Sequence, residues 1–269
     1  MKFIAKSILI LSLTALALGT VTYNVMSSNV KQSGTINLVR QNVTSETRAI
    51  TAEVTQVDMD GPFDLVIMHD DRPGLTVQGE ERLLSRVVVQ QEGAVLHIST
   101  KGMLVTMNQT LKVTLNLPTL SALNQSGSGD SEVRGFTGSQ MSVNMSGSGD
   151  LVYSGQYQHI DIQNHGSGNM DLDVRSADRI DLLSSGSGNV DVVGKVNLSN
   201  IVLTGSGNID AQRMISSHTD AVAQGSGNLQ VYAGKEVNVT ATGSGDVDVY
   251  GNPARKTINK TGSGDVNMN

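Results

Sequence analysis

From Ala122 to the last residue, one pattern of apolar and polar positions returns at nearly constant intervals. Each copy holds an apolar residue, then three residues on, an uncharged stretch, then an apolar-polar-apolar alternation. The apolar position that opens each copy is Leu123, Val143, Ile162, Leu182, Ile201, Ala221, Val239 and Ile258. Eight residues further on stand Ser131, Leu151, Met170, Val190, Ile209, Leu229, Val247 and Val266. Two beyond those come Val133, Tyr153, Leu172, Val192, Ala211, Val231, Val249 and Met268. The place between these last two columns is mostly polar: Glu132, Asp171, Asp191, Asp210, Gln230, Asp248, Asn267. Alternation with period two predicts strands with one buried face.

What marks each copy is Gly-Ser-Gly. Its first glycines are Gly127, Gly147, Gly166, Gly186, Gly205, Gly225, Gly243 and Gly262, stepping by 20, 19, 20, 19, 20, 18 and 19. The serines are Ser128, Ser148, Ser167, Ser187, Ser206, Ser226, Ser244 and Ser263. An Asp or Asn closes each turn: Asp130, Asp150, Asn169, Asn189, Asn208, Asn228, Asp246 and Asp265. A further glycine lies eight residues past the first at Gly135, Gly155, Gly194 and Gly251, and one place later at Gly234. Each copy therefore reads as strand, corner, strand, corner.

A unit of 19 or 20 residues cannot bury its own apolar face, so the copies must stack as coils of an all-β solenoid, each strand pairing with its counterpart above and below. Like positions then form columns about 4.8 Å apart. The favoured reading of Gly-Ser-Gly is a corner with positive φ, since Asx after glycine is turn chemistry. The alternative keeps the strand phase, with the glycines facing inward and pinching the coil.

Upstream, residues 49–121 carry irregular short β signals, among them FDLVIM, GLTVQG, RVVVQ, AVLHIS and LKVTLNL, with one helical stretch at Glu80 to Ser85. Residues 27–48 are polar and unpatterned and read as a flexible spacer. At the N-terminus, Lys2 and Lys6 precede an uncharged run whose apolar heart is Ile8 to Gly19. Residues 1–26 thus read as a signal peptide cleaved after Ala17, or as an uncleaved membrane anchor, and in either case the chain is exported to the periplasm or cell surface.

Composition sharpens this picture. The 269 residues include 29 glycines, no tryptophan, no cysteine and only eight Phe and Tyr together, so the core must be aliphatic. A net charge of −6 argues against a grip on nucleic acid or on anionic lipid. Without cysteine there is no disulfide, no thiolate metal site and no lipid attachment at the N-terminal segment.

Candidate chemistry is sparse. A serine nucleophile needs a base, and only His165 adjoins a Gly-Ser-Gly copy, so a stacked, structural hydroxyl ladder is expected and no catalytic residue is assigned. Stacked asparagines can hydrogen-bond along their column. Asp171, Asp191 and Asp210 form the one carboxylate column that a cation such as Ca²⁺ could occupy; a solvated acidic stripe is the expected reading. No phosphate loop is present, because no Gly-Lys-Ser/Thr follows any copy. No cofactor is expected.

The stretches FDLVIM…LTVQGEERLLSRVVVQQEGAVLHI and LKVTLNLPTLSALNQSGSGD, the serial GSGD and GSGN turns and the closing VYGNPARK…TGSGDV resemble a family of bacterial envelope proteins, the putative auto-transporter adhesin, head GIN domain family. The resemblance runs from Ala49 to the C-terminus. It implies a right-handed parallel β-helix of pectin lyase-like architecture without that group's catalytic residues, and an adhesive role with an envelope protein or glycan as partner. Many such relatives are lipoproteins, a feature this cysteine-free chain lacks. Polysaccharide binding or cleavage, or a structural or stress-signalling part in the envelope, are the alternatives. The last strand, Asp265 to Asn269, is expected to offer an edge for self-association.

Overall fold

The computed structural model describes residues 43–102 and 111–269. The expected signal peptide or anchor, and most of the expected spacer, lie outside the described residues. The spacer's last six residues are not coil: Val43–Arg48 is strand β1. It is followed by β2 (Gln56–Gly61), β3 (Asp64–His69), β4 (Gly74–Glu80), a one-turn helix α1 (Glu81–Leu84), β5 (Val87–Glu92), β6 (Val95–Thr100) and β7 (Lys112–Leu117). The repeat region supplies β8 (Ala122–Gly127), β9 (Ser131–Met145), β10 (Leu151–Asn164), β11 (Met170–Ser184), β12 (Val190–Leu203), β13 (Ile209–Ala211) and β14 (Met214–Ala223). It ends with β15 (Leu229–Tyr232), β16 (Glu236–Ala241), β17 (Val247–Tyr250), β18 (Arg255–Lys260) and β19 (Val266–Met268).

The repeats stack as a parallel β-solenoid. Leu151 lies over Ser131, Met170 over Leu151, Val190 over Met170 and Ile209 over Val190. The same register carries through to Val266 over Val247. The three apolar columns read from the sequence line the bore and are buried throughout, except in the final copy, where Ile258 and Met268 are exposed. A fourth inward column, two residues before the first glycine, escaped the periodicity because it mixes chemistries: Met145, Leu203, Ala223 and Ala241 share it with buried Gln125, Asn164 and Ser184.

The irregular segment hides a ninth copy. Strand β2 pairs in parallel with β8, and β3 with β9, placing Gly61 opposite Gly127 and Val57 opposite Leu123. VDMDGPFDLVI is thus a degenerate coil in which Pro62 and Phe63 stand for Ser and Gly, with Val57, Leu65 and Ile67 in the three apolar columns. Strands β6 and β7 stack on its other side, β6 on β2 and β7 on β3. Beyond them β5 and β4 continue the sheet antiparallel, and β1 adds to β4.

Gly-Ser-Gly does bend the chain, but not by the expected means. Of its glycines only Gly127 has positive φ, at 98°. The others are required by proximity: a Cβ on Gly147, Gly188 or Gly262 would overlap the carbonyl oxygen of the glycine one coil below. The phase-keeping alternative is the observed one, with the second glycine of every copy buried and the serines exposed. Left-handed backbone occurs at the opposite corner, at Gly135 (86°), Gly194 (139°) and Gly251 (93°), where the sequence also places glycine. In the coil between Gly155 and Gly194 that corner is made by Arg175, at φ 50°, with its N–H donating to Asp173 Oδ1 over 3.0 Å.

Candidate functional site

Every Asx side chain that follows a Gly-Ser-Gly turn, except Asp265 in the last copy, is held by the next coil. The Oδ1 of Asp130 accepts from the backbone N–H of Asp150 at 2.8 Å, Asp150 from Asn169 at 2.7 Å, Asn169 from Asn189 at 3.0 Å and Asn189 from Asn208 at 3.0 Å. The chain of bonds continues from Asn228 N–H to Asn208, Asp246 to Asn228, and Asp265 to Asp246, at 2.9, 2.9 and 2.7 Å. It begins one coil earlier than the sequence suggested, with Asp64 accepting from Asp130 at 3.3 Å. An acceptor oxygen on Cγ is what this geometry demands, and Asp and Asn meet it equally. The amides add side-chain rungs of their own: Asn169 Nδ2 donates to Asp150 and Asn208 Nδ2 to Asn189.

The serines form no such ladder. Ser128, Ser148, Ser167, Ser187, Ser206, Ser226, Ser244 and Ser263 are exposed, and among the described residues their hydroxyls do not bond one another. What runs through them is main chain: Ser148 N–H donates to Gly127 O at 2.9 Å, Ser206 N–H to Gly186 O at 3.2 Å, and so on up the stack.

Beside the Asx ladder runs the carboxylate column. Asp171, Asp191 and Asp210 stack in register as expected. Protein groups already hold two of them, Arg213 Nη2 both oxygens of Asp191 at 2.7 and 2.8 Å, and Gln212 Nε2 Asp210 at 3.1 Å. Among the described residues no group of three acids and histidines converges on a point where a metal ion could sit. The two columns enclose an open trough of about 670 Å³, walled by Asp130, Asp150, Asn169, Asn189 and Asn208 on one side and Asp171, Asp191 and Asp210 on the other, with Leu151, Val152 and Val190 in its floor. Val152 is 44% exposed there.

Ion pairs elsewhere on the coils lower three carboxyls. Arg179 donates twice to Asp181, at 2.6 and 2.7 Å, and that hydrogen bonding holds the Asp181 carboxyl below the usual range against the opposing pull of burial. Glu236 is lowered in the same way by Arg255, and Asp265 by Lys260. Histidine chemistry is dispersed. His165 Nδ1 meets Ser185 Oγ at 2.7 Å on the exposed surface, His97 meets Asp58 at 2.9 Å, and His69 packs edge-on to Phe136. Among the described residues no carboxylate within hydrogen-bonding reach orients His165, so the Ser185–His165 pair lacks the third member that activates a nucleophile.

Sequence comparison agrees with this architecture over most of the chain: residues 53–253 match the family described as "Putative auto-transporter adhesin, head GIN domain". The chain belongs to that family. Several solved structures share its fold. One is a putative adhesin from Parabacteroides distasonis, 22% identical, with a TM-score of 0.74 over 86% of this chain and 98% of that one. A second, described as a putative lipid binding protein from the same species, is 27% identical, with a TM-score of 0.72 and the same coverage. A putative adhesin from Bacteroides fragilis is 20% identical, with a TM-score of 0.63 over 85% of this chain and 98% of that one. No curated protein matches the chain. Within this head GIN domain the sequence-derived resemblance and the observed solenoid coincide, and no helix of the described residues is long and apolar enough to cross a membrane.

Proposed function

We propose that this chain is a non-enzymatic protein of the bacterial cell envelope that presents the ladder-lined face of its solenoid to a partner, in adhesion or protein interaction. The observation that carries the reading is the trough between the Asx ladder and the Asp171–Asp191–Asp210 column. It is long, open and periodic, and most of its polar groups are fixed by neighbours, as suits recognition over an extended surface. The scattered histidines and the unsupported Ser185–His165 pair favour binding over catalysis. Membership of a family named for adhesins supports an extracellular or envelope location, with residues 1–26 as the export signal or tether.

The face carries an excess of carboxylate, so the favoured partner surface is basic or rich in hydroxyls, the latter including an envelope glycan. Binding of the full chain to envelope fragments, measured over rising salt, tests this. Replacing Asp150, Asp171 and Asp210 together by Asn should weaken retention about tenfold at low salt. Retention unchanged by the triple substitution sinks the reading, and depolymerisation of any acidic glycan in a panel sinks its non-enzymatic part.

A further inference from the structure

The cations of the repeat region are mostly spoken for. Arg134 pairs with Glu132, Arg179 with Asp181, Arg213 with Asp191, Arg255 with Glu236 and Lys260 with Asp265. Among the described residues Lys195, Lys235 and Lys256 are not, and the first two line the same hollow. It measures about 220 Å³, lies at the second corner of three successive coils, and includes Ile215, Ser217 and Tyr232 in its wall. Its position is fixed by the stack: Lys195 is the register partner of Ile215, and the N–H of Lys235 donates to Ser217 O at 2.9 Å. The two lysine backbones are thus two coils apart, on the order of 10 Å, with Ile215 between them.

Three features make this hollow unlike the rest of an acidic surface. No carboxylate lines it; Asp178 lines only the adjoining notch, which shares Lys195 and Val196 with it. Ile215 is 51% exposed, among the most exposed large apolar side chains described. The Ser217 hydroxyl has no hydrogen-bond partner among the described residues, whereas that of Ser216 beneath it is committed to Thr219 and the carbonyl of Tyr232. Two uncommitted ammonium groups and a free hydroxyl are the donors that a tetrahedral oxyanion accepts, and charge-assisted bonds to it are the strong ones. An exposed isoleucine and a tyrosine beside them suit an apolar body attached to that anion.

We propose that Lys195, Ser217 and Lys235 form a binding site for a phosphate-type oxyanion, with Ile215 and Tyr232 meeting the apolar part of the molecule that carries it. The site lies on different columns from the acidic trough, so it stands or falls separately from the proposed adhesive face. Its anion can come from free phosphate or from an anionic lipid head group.

The test uses the full chain carrying ¹³C-methyl isoleucine, titrated with inorganic phosphate, with dihexanoyl phosphatidylglycerol and with dihexanoyl phosphatidylcholine, each lipid below its micelle concentration. The Ile215 methyl signal is expected to shift with the anionic lipid and not with the zwitterionic one. Lys195→Ala with Lys235→Ala should weaken that response at least about tenfold, while Lys256→Ala leaves it unchanged. A response to phosphate as strong as to the anionic lipid identifies the free anion as sufficient, and a stronger response to the lipid identifies the head group with its apolar body. No shift with either anion, an equal shift with both lipids, or a shift that survives the double substitution overturns the proposal.

Discussion

A glycine and the serine beside it do opposite jobs in the same three-residue turn. Gly188 is buried where a Cβ would strike the Gly168 carbonyl, while Ser187 is exposed with its backbone, not its hydroxyl, in the ladder. Gly188→Ala should therefore cost about 3 kcal/mol, and Ser187→Ala no more than about 0.5 kcal/mol, in urea denaturation. Arg175 is the converse case. Its left-handed backbone occupies a corner that neighbouring coils give to glycine, so Arg175→Gly should raise stability by about 1 kcal/mol and the melting temperature with it. A result in which Arg175→Gly destabilises would show that the Arg175 guanidinium contacts to Ser154 outweigh the backbone strain.

Among elements, β1 depends on a single side chain. It is largely exposed and paired on one side to β4, and Arg48 pins it by donating to the carbonyls of Leu84, at the end of α1, and Val87, at 2.7 and 2.5 Å. Losing charged hydrogen bonds to two carbonyls should cost Arg48→Ala about 2 kcal/mol and speed amide exchange in β1 and β4 while leaving β10 to β12 protected. This strand was illegible in the sequence, because VTSETR presents no apolar face and is held by a partner 39 residues away. The eight repeat coils were legible, since identical positions stack and a column of like residues survives inspection by eye. The degenerate coil was present in the sequence too, as Val57, Gly61, Asp64, Leu65 and Ile67 at the repeat's own offsets, but with proline and phenylalanine where the motif has serine and glycine. As for the candidate site, its columns could be read and its bonding could not: nothing in the letters distinguishes a serine hydroxyl ladder from a backbone one, or shows that each Asx oxygen would seek the amide of the next coil.

At the scale of the whole molecule, titration bounds stability on both sides. Asp181, Glu236 and Asp265 have carboxyls lowered by their cationic partners, so what they contribute is present above the ordinary carboxylate range, near pH 4, and is lost as pH falls through their depressed values. Burial raises the hydroxyls of Tyr153 and Tyr157 above the normal tyrosine value, so the stability linked to them is full below about pH 10 and is lost as pH rises from there towards their folded values. Unfolding free energies from urea titrations should fall above pH 10, by up to about 1.4 kcal/mol per pH unit for each tyrosine. Tyr153→Phe should blunt that fall and leave neutral stability equal or higher, since the Tyr153 hydroxyl is buried without a partner, whereas Tyr157→Phe gives up a 2.6 Å bond to Leu120 O and should cost about 1 kcal/mol. The placement of the degenerate coil also sets an order of assembly. Its ladder partners in β8 and β9 arrive 66 residues after it, whereas neighbouring repeats meet partners only 18 to 20 residues away. Because closing a longer loop costs more entropy before any contact is returned, folding should start in the middle coils and spread outward. A coil made before the repeats is therefore completed after them, and until then each of its two strands keeps one edge open for β8 and β9.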